Sequence, residues 1–187
     1  ELTYGPGLGE FYVRNALSYP PQLVFDAETA PSADVVRRGP SRAPRAVTAF
    51  GGGKDSHVAS SIVAEAGGEA ERVSVILSEQ VGARLNAMSE TPISLIQRRI
   101  DPRLLEISRS GEALNGHIPI TGVNSALLGL YAAATARDWV VFANERAASE
   151  PTMETNGHPV NHQFSKSLQF EDALRAAFDA AGADFSY

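Results

Sequence analysis

Short apolar runs alternate with helix-like segments along most of this 187-residue chain. Apolar, β-prone runs cover residues 47–50, 72–77 and 139–143, and they lack the polar alternation of half-exposed strands. Each run is therefore predicted to be a buried strand of a parallel sheet. Strands that alternate with helices predict an α/β fold with a doubly wound parallel sheet. The predicted helices lie at about 9–18, 57–66, 79–87, 121–136 and 165–181, and residues 104–108 are either a further strand or a short helix.

The segment ahead of the first strand is expected to be less regular. Residues 1–25 combine aromatic side chains with glycines and prolines, and we predict a helix followed by an extended stretch, 22–25, that packs on the core. Residues 26–45 hold three prolines and four arginines without a spaced apolar face, which indicates a linker or mobile loop. Residues 46–187 would then form one main domain.

Composition narrows the classes of partner. The chain is 43% hydrophobic and 20% charged, which is typical of a globular domain, and its formal net charge of −6 argues against nucleic acid as a partner. The absence of cysteine excludes disulfides and thiolate metal sites within these residues. No apolar run reaches the length of a membrane span, so we expect no membrane partner.

The stretch Gly51-Gly52-Gly53-Lys54-Asp55-Ser56 follows the first predicted strand and leads directly into a helix. Glycines allow backbone N–H groups to turn towards a ligand, and the start of the helix adds a positive end, so this loop suits an anion such as phosphate. Lys54 adds a mobile positive charge and Ser56 a hydroxyl group, while Asp55 is predicted to cap the helix.

Two familiar phosphate-binding patterns do not fit this loop. A Walker A loop would need glycine at Thr48 and a hydroxyl residue at Asp55, and the dinucleotide pattern G-x-G-x-x-G finds Ser56 in place of its third glycine. The pattern G-G-x-D-S after a strand resembles the PP-loop ATP pyrophosphatases, which hold the pyrophosphate of ATP and cleave between its α and β phosphates. An ordinary glycine-rich turn is the structural alternative.

Three further polar groups are candidates for a site. Asn144-Glu145-Arg146 follows the strand 139–143, where a parallel sheet would place it at the same edge as the glycine loop. Asn115-Gly116-His117 precedes the helix 121–136, for which Thr121 is the predicted cap, and Gly116 would permit an unusual turn there. The run 160–167 places His162, Lys166 and two hydroxyl groups at the predicted start of the last helix, which favours an anion. A purely structural histidine and a surface lysine are the alternatives.

Four blocks of sequence narrow the resemblance. Residues 51–56, 115–125, 142–149 and 160–166 are similar to those of the glycopeptidyl-glutamate epimerase family MurL, and the segment 7–15 also resembles the region before the family's loop. Its members epimerise the terminal L-glutamate of UDP-N-acetylmuramoyl-L-alanyl-L-glutamate and consume ATP to AMP and pyrophosphate. Family chains are longer, with an additional N-terminal region and a cysteine-containing C-terminal region.

The resemblance implies a cytoplasmic isomerase of peptidoglycan precursor synthesis that uses ATP and Mg²⁺. Its partner would be a small molecule, a UDP-linked glycopeptide or another glutamyl peptide. Mg²⁺ would be carried on ATP. His158 and His162 are spaced like zinc ligands on a helix, but Pro159 between them does not fit that arrangement.

Within that reaction the glycine loop would hold the β and γ phosphates, and His162 or His117 would transfer protons. Lys166 and Arg146 would contact the adenylate phosphate and substrate carboxylates, and Glu145 would bind Mg²⁺ or orient a base. Further substrate contacts are expected from Asn115, Asn144, Asn161 and Ser165. A PP-loop ligase or amidotransferase that passes an acyl adenylate to an amine, and a non-catalytic nucleotide-binding module, are the alternative functions.

Overall fold

The computed structural model describes residues 5–24 and 43–187. The predicted linker lies outside this part of the chain except for its last residues, and so does Phe25. The helices are α1 (Gly9–Arg14), α2 (Lys54–Glu65), α3 (Glu79–Ala87), α4 (Pro102–Ser110), α5 (Ile120–Ala134) and α6 (Leu168–Ala180). The strands are β1 (Arg45–Ala49), β2 (Glu69–Ile76), β3 (Ser94–Gln97), β4 (Trp139–Val141), β5 (Met153–Thr155) and β6 (His158–Val160). Three short 3₁₀ turns complete the described elements, at Pro6–Leu8, Arg146–Ser149 and Phe164–Lys166.

The described residues divide into two compact units. The first, called the sheet unit, contains residues 43–99, 124–143 and 175–187. The second, called the hairpin unit, contains residues 5–24, 100–123 and 144–174. α5 and α6 each begin in the hairpin unit and end in the sheet unit.

The sheet unit is built on four parallel strands in the order β3-β2-β1-β4. The chain moves outward from β1 to β2 and β3, and then returns to the other side of β1 to form β4. This reversal is typical of a doubly wound sheet, so the α/β architecture and the parallel sheet confirm the prediction. It also places a topological switch point between the carboxyl ends of β1 and β4, where ligands bind in sheets of this kind.

The centre of the sheet unit is a dry apolar cluster. Val47, Val73 and Val140 come from three strands, and Leu128 packs against them from α5. Each is at most 4% exposed, and burial of such a side chain contributes about 1.5–3 kcal/mol before entropy is counted. The central strands are therefore apolar on the faces that helices cover, which explains the uninterrupted apolar runs in the sequence.

The end of the described chain extends the same sheet beyond β4. The Val140 amide donates to the carbonyl of Ser186 at 2.8 Å, and the Ser186 amide donates to Asp138 at 2.9 Å. Tyr187 then packs its ring near Phe142, and its hydroxyl lies 2.8 Å from Oγ of Ser125. These contacts attach Ser186 and Tyr187 to the sheet, an arrangement that the sequence pattern does not predict.

Several local predictions agree with the structure and others need correction. The helix predicted at 79–87 is α3, and the predicted glycine end of α2 is confirmed, because Gly67 has φ +79° and Gly68 donates to the carbonyl of Val63 at 2.9 Å. Of the two alternatives for 104–108 the helix is correct. Thr121 is not a cap, since α5 already begins at Ile120.

The hairpin unit contains the antiparallel pair β5 and β6. Asn156 and Gly157 connect the two strands with φ of +49° and +75°. Positive φ at both central residues is the mark of a type I′ turn, for which Asn-Gly is the favoured sequence. The segments on either side of the hairpin carry seven of the predicted site residues: Asn144, Glu145, Arg146, Asn161, His162, Ser165 and Lys166.

Candidate active site

The glycine loop, residues 51–56, follows β1 at the switch point of the sheet, and its last three residues form the start of α2. A β-carbon built on Gly51 or on Gly53 would meet no atom within 4 Å, so open space lies beside the backbone at both positions. Gly52 is different, because its φ of +76° favours glycine and a β-carbon there would lie 3.0 Å from Cδ2 of Leu85. The backbone of the loop is therefore closely packed at Gly52, and space is open beside Gly51 and Gly53.

No side chain caps the start of α2. The helix begins at Lys54, and Gly53 is its N-cap residue with extended φ and ψ of −82° and 161°. The sequence predicted that Asp55 caps this helix. That prediction is wrong, because Asp55 already lies inside the first turn. The amides of Ser56 and His57 donate to the carbonyl of Gly53, which leaves the N–H groups of Lys54 and Asp55 as those that suit an anion, beside the exposed Lys54 side chain.

The hydroxyl groups of three buried residues, Thr48, Ser56 and Ser60, make hydrogen bonds that hold the glycine loop. The Ser56 hydroxyl donates to the carbonyl of Gly53 at 2.7 Å, and the Ser60 hydroxyl donates to the carbonyl of Ser56 at 2.9 Å. Thr48 lies 3.1 Å from the Ser60 hydroxyl and 3.2 Å from the carbonyl of Glu71, to which it donates. These contacts connect β1, α2 and β2, so they hold the loop in place while its glycines remain open.

In the hairpin unit, the structure brings the two predicted proton-transfer histidines together. The ring centres of His117 and His162 are 6.1 Å apart, and the ring planes are at 86°. Both side chains are half-buried. Residues separated by 45 positions in sequence thus form one pair.

The segment that carries His117 is held by close packing. A β-carbon on Gly116 would lie 2.7 Å from the ring of Phe11, so the adjoining helix leaves room only for glycine. Gly116 does not have the positive φ that an unusual turn would require, and packing therefore explains this glycine better than the turn we predicted. The carbonyl of Asn115 accepts from the side chain of Asn15 at 3.0 Å, which ties the same segment to the end of α1.

The amide groups of two predicted substrate contacts also make internal hydrogen bonds. Asn115 donates through Nδ2 to the carbonyl of Ser108 at 3.1 Å. Asn161 donates to the carbonyl of Ala148 at 2.7 Å and accepts from the amide of Gln163 at 2.8 Å. Each asparagine therefore positions the segment that carries one of the two histidines.

A cavity of about 1000 Å³ lies within the hairpin unit. The predicted residues that line it are Asn144, Glu145, Arg146, Asn161 and Lys166. His117, His162, Asn115 and Ser165 do not line it, although Asn161 is adjacent to His162 in sequence. The cavity therefore gathers the charged part of the predicted site, separate from the residues that form the histidine pair.

Sequence reasoning missed several side chains of the cavity wall. His158 reaches it from β6, and Asn156-Gly157 was the signal that could have revealed this hairpin. Tyr19 also lines the cavity, and burial raises the pKa of its hydroxyl above the ordinary value. The carboxylates of the wall that the sequence did not suggest are Glu150, Glu171 and Asp172.

Lys166 was predicted to lie at the start of the last helix, and the structure places it before that helix. It ends the short 3₁₀ turn Phe164–Lys166, and α6 begins two residues later. The Ser167 hydroxyl caps α6, because it accepts from the amide of Phe170 at 3.2 Å. Any attraction of Lys166 for an anion therefore comes from its own charge and not from the helix.

Among residues 5–24 and 43–187, no three acidic or histidine side chains are grouped closely enough to hold a metal ion. Over the same residues, no helix has the length and apolar character needed to cross a membrane.

The fold and the glycine loop together define the class of protein: an α/β domain with an open glycine loop at the switch point of its parallel sheet. The family model of the MurL N-terminal domain matches residues 1–187, so the chain belongs to this family. This match confirms the resemblance seen in the four sequence blocks.

Curated relatives carry the name UDP-N-acetyl-alpha-D-muramoyl-L-alanyl-L-glutamate epimerase. A protein of Xanthomonas oryzae pv. oryzae is 40% identical over 176 residues, which is 93% of this chain and 38% of that protein. A Micromonospora protein is 37% identical over 175 residues, 94% of this chain and 38% of the relative. A Salinispora tropica protein is 36% identical over 180 residues, which is 95% of this chain and 38% of the relative. The chain thus spans 38% of the length of each of these relatives.

A crystal structure of an uncharacterized protein of Mycobacterium paratuberculosis overlaps 82% of this chain and 68% of its own. The TM-score is 0.36 at 16% identity, an overlap too loose to support any conclusion about the fold or the function.

Proposed function

We propose that this chain is the nucleotide-binding and proton-transferring part of an epimerase that inverts the terminal L-glutamate of UDP-N-acetylmuramoyl-L-alanyl-L-glutamate. Membership of the MurL N-terminal domain family is the observation that carries this proposal, because the relatives named above are epimerases of that compound. The product would serve peptidoglycan precursor synthesis.

The sheet unit would bind ATP as a PP-loop domain does. The open space at Gly51 and Gly53, the uncapped start of α2 and the exposed Lys54 fit a chain of phosphates. The β and γ phosphates would lie on residues 51–56. Mg²⁺ would arrive on the triphosphate.

ATP would be needed because the α-proton of a carboxylate is very weakly acidic. Removal of that proton would place a second negative charge beside the first. Attack of the glutamate α-carboxylate on the α phosphate releases pyrophosphate and gives an acyl adenylate, which no longer carries the carboxylate charge. A proton can then leave Cα and another can return to the opposite face, before water releases AMP and the inverted product.

The hairpin unit would supply the groups that act on the substrate. His117 or His162 would transfer protons, since imidazole is both acid and base near neutral pH. Arg146 and Lys166 line the cavity and would contact the adenylate phosphate and the substrate carboxylates, while Glu145 would bind Mg²⁺ or orient a base. Asn144 would bind substrate in the cavity, and Asn115, Asn161 and Ser165 would contribute from the surrounding segments.

The full-length protein should be incubated with ATP, Mg²⁺ and the L-glutamyl substrate in D₂O. The proposal predicts release of pyrophosphate and a D-glutamyl product that is one deuteron heavier. The Lys54→Ala variant should lose most of the pyrophosphate release. An amine adduct would indicate a ligase, and ATP binding without pyrophosphate release would indicate a nucleotide-binding module.

A further inference from the structure

Helix α4 is exposed along its whole length. Every residue from Asp101 to Glu112 is exposed, and α4 contains no buried residue. Isolated helices shorter than about 12–15 residues are only marginally stable in water, and most helices in proteins are held by the packing of an apolar face. Within the described part of the chain, the nine residues of α4 therefore lack the packing that normally holds such a helix.

The sequence nevertheless specifies this helix at both ends. The side chain of Asp101 accepts from the amide of Arg103 at 2.9 Å, and Pro102 occupies the first helical position. Gly111 ends the helix with a φ of +77°, the left-handed conformation that commonly terminates helices. Both ends are thus set by local signals, and what α4 lacks is a surface to pack against.

α4 has an apolar face that such a surface could cover. Leu104, Leu105 and Ile107 are 53%, 51% and 49% exposed, and these three residues are called the α4 face. At about 3.6 residues per turn they lie within one half of the helix circumference, and Glu106 lies on the other half. Apolar side chains that are grouped and exposed in this way mark an interaction site.

We propose that the α4 face is covered by the C-terminal region of the full-length protein, the part that follows this N-terminal domain. The curated relatives extend far beyond the domain, since the chain spans 38% of the length of each. A nine-residue helix is about 14 Å long and 10 Å wide, too small to present the roughly 800 Å² that each partner contributes to a stable interface between separate chains. A region of the same chain has a high effective concentration, so a small surface is sufficient for it.

The charges of the helix also suit a protein surface better than a membrane. Arg103 and Arg109 are offset by Asp101 and Glu106. Helices that lie on membranes carry an excess of Lys and Arg on the polar side, which α4 lacks.

The end of α4 is connected to the segment that carries His117. The Ser108 hydroxyl donates to Oδ1 of Asn115, and Nδ2 of Asn115 donates to the carbonyl of Ser108 at 3.1 Å. A region that docks on α4 would therefore also hold this segment in place.

Photo-cross-linking of the purified full-length protein tests the proposal. p-Benzoylphenylalanine replaces Leu104 in one variant and Glu106, on the other side of the same helix, in the matched control. Each variant is irradiated as a mixture of unlabelled and ¹⁵N-labelled protein, so that mass spectrometry distinguishes links within one copy from links between copies. Hydrogen exchange over the α4 peptide of the unmodified protein provides a second measurement that needs no substitution.

The Leu104 variant should form links within one copy to peptides that follow Tyr187 in the full-length chain, and the Glu106 variant should form few or none. In the unmodified protein, the hydrogen-bonded amides of α4 should exchange at least about 10²-fold more slowly than in an unfolded chain. Links between copies, links confined to residues 1–187, or exchange of α4 at the unfolded rate would overturn the proposal. Neither measurement involves ATP or substrate, so its outcome is independent of the proposed epimerase function.

Discussion

A β-carbon on Gly116 would lie 2.7 Å from Cδ2 of Phe11, which shows that α1 packs directly on the backbone beside His117. The Gly116→Ala variant should therefore lose about 1–3 kcal/mol of unfolding free energy, because either the ring or the segment must move. Displacement of the segment would also move His117, so epimerisation should fall more than ATP-dependent pyrophosphate release does. Denaturant unfolding and the two activity assays measure these effects. An unchanged unfolding free energy would contradict the packing described here.

The glycine loop offers a matched pair of substitutions. Gly53→Ala places a methyl group in open space at an ordinary backbone conformation, so the unfolding free energy should change by less than about 0.5 kcal/mol. ATP affinity should nevertheless fall, since the methyl group occupies the space proposed for phosphate. Gly52→Ala should instead destabilise the fold by about 1–3 kcal/mol because its φ is +76°. Calorimetric ATP titration separates the two cases, and normal ATP binding by a folded Gly53→Ala protein would count against the loop as the phosphate site.

Asn161 should act as a positioning residue for His162. Asn161→Asp keeps the size of the side chain but replaces the amide that donates to Ala148 with a carboxylate that cannot donate. We expect the unfolding free energy to fall by about 1–3 kcal/mol, and the rate of inversion to fall with little change in the KM for ATP. Thermal unfolding measures the first effect, and steady-state kinetics measures the rate and the KM. Asn161→Ala is the control for lost contacts without added charge, and a normal inversion rate in both variants would remove Asn161 from this role.

Glu71 on β2 gives the sheet unit a pH-dependent contribution to stability. Oε1 of Glu71 accepts from Ser94 and Tyr131, each at 2.6 Å, and Oε2 lies 2.5 Å from Nη2 of Arg137. Burial alone would raise the pKa of Glu71, but the hydrogen bonds and the charge of Arg137 outweigh it and hold the pKa below the ordinary value of 4.5. A carboxylate with a lowered pKa in the folded state stabilises the fold above the pKa of the unfolded chain, and this stabilisation is lost as the pH falls through the folded value.

Glu71→Gln should therefore lower the unfolding free energy most at about pH 7, and the difference from the unmodified protein should shrink on acidification below about pH 4. Tyr131→Phe removes one hydrogen bond and keeps the charge, so it should retain much of the acid dependence. Urea unfolding across this pH range provides the measurement. A Glu71→Gln difference that is the same at every pH would mean that the carboxylate charge contributes nothing.

The sequence predicted those elements that local patterns determine. The bounds of α3 were correct, and the central strands were recognisable because helices cover their faces and keep them apolar. β3 was missed because it is a short edge strand in which Leu95 and Gln97 are exposed, so its pattern is not continuously apolar. The hairpin of β5 and β6 was missed although Asn156-Gly157 carries the signal of its turn.

The candidate site was predictable in its chemistry but not in its grouping. The pairing of His117 with His162, and the cavity that Arg146 shares with Lys166, are set by contacts between segments far apart in sequence. Local patterns do not report such contacts. Asp55 shows the opposite error, because the helix was predicted to begin at residue 57 whereas α2 begins at Lys54, so a residue type that often caps helices lies two residues after the actual N-cap, Gly53.

Formation of an acyl adenylate is the central claim of this account, and oxygen-18 tests it most directly. The full-length protein would be given ATP, Mg²⁺ and substrate labelled with ¹⁸O in the terminal α-carboxylate, and the AMP formed would be analysed by mass spectrometry. Attack of the carboxylate on the α phosphate predicts that one ¹⁸O atom passes into AMP for each glutamate that is turned over. AMP without substrate ¹⁸O, formed while the glutamate is inverted, would contradict the account.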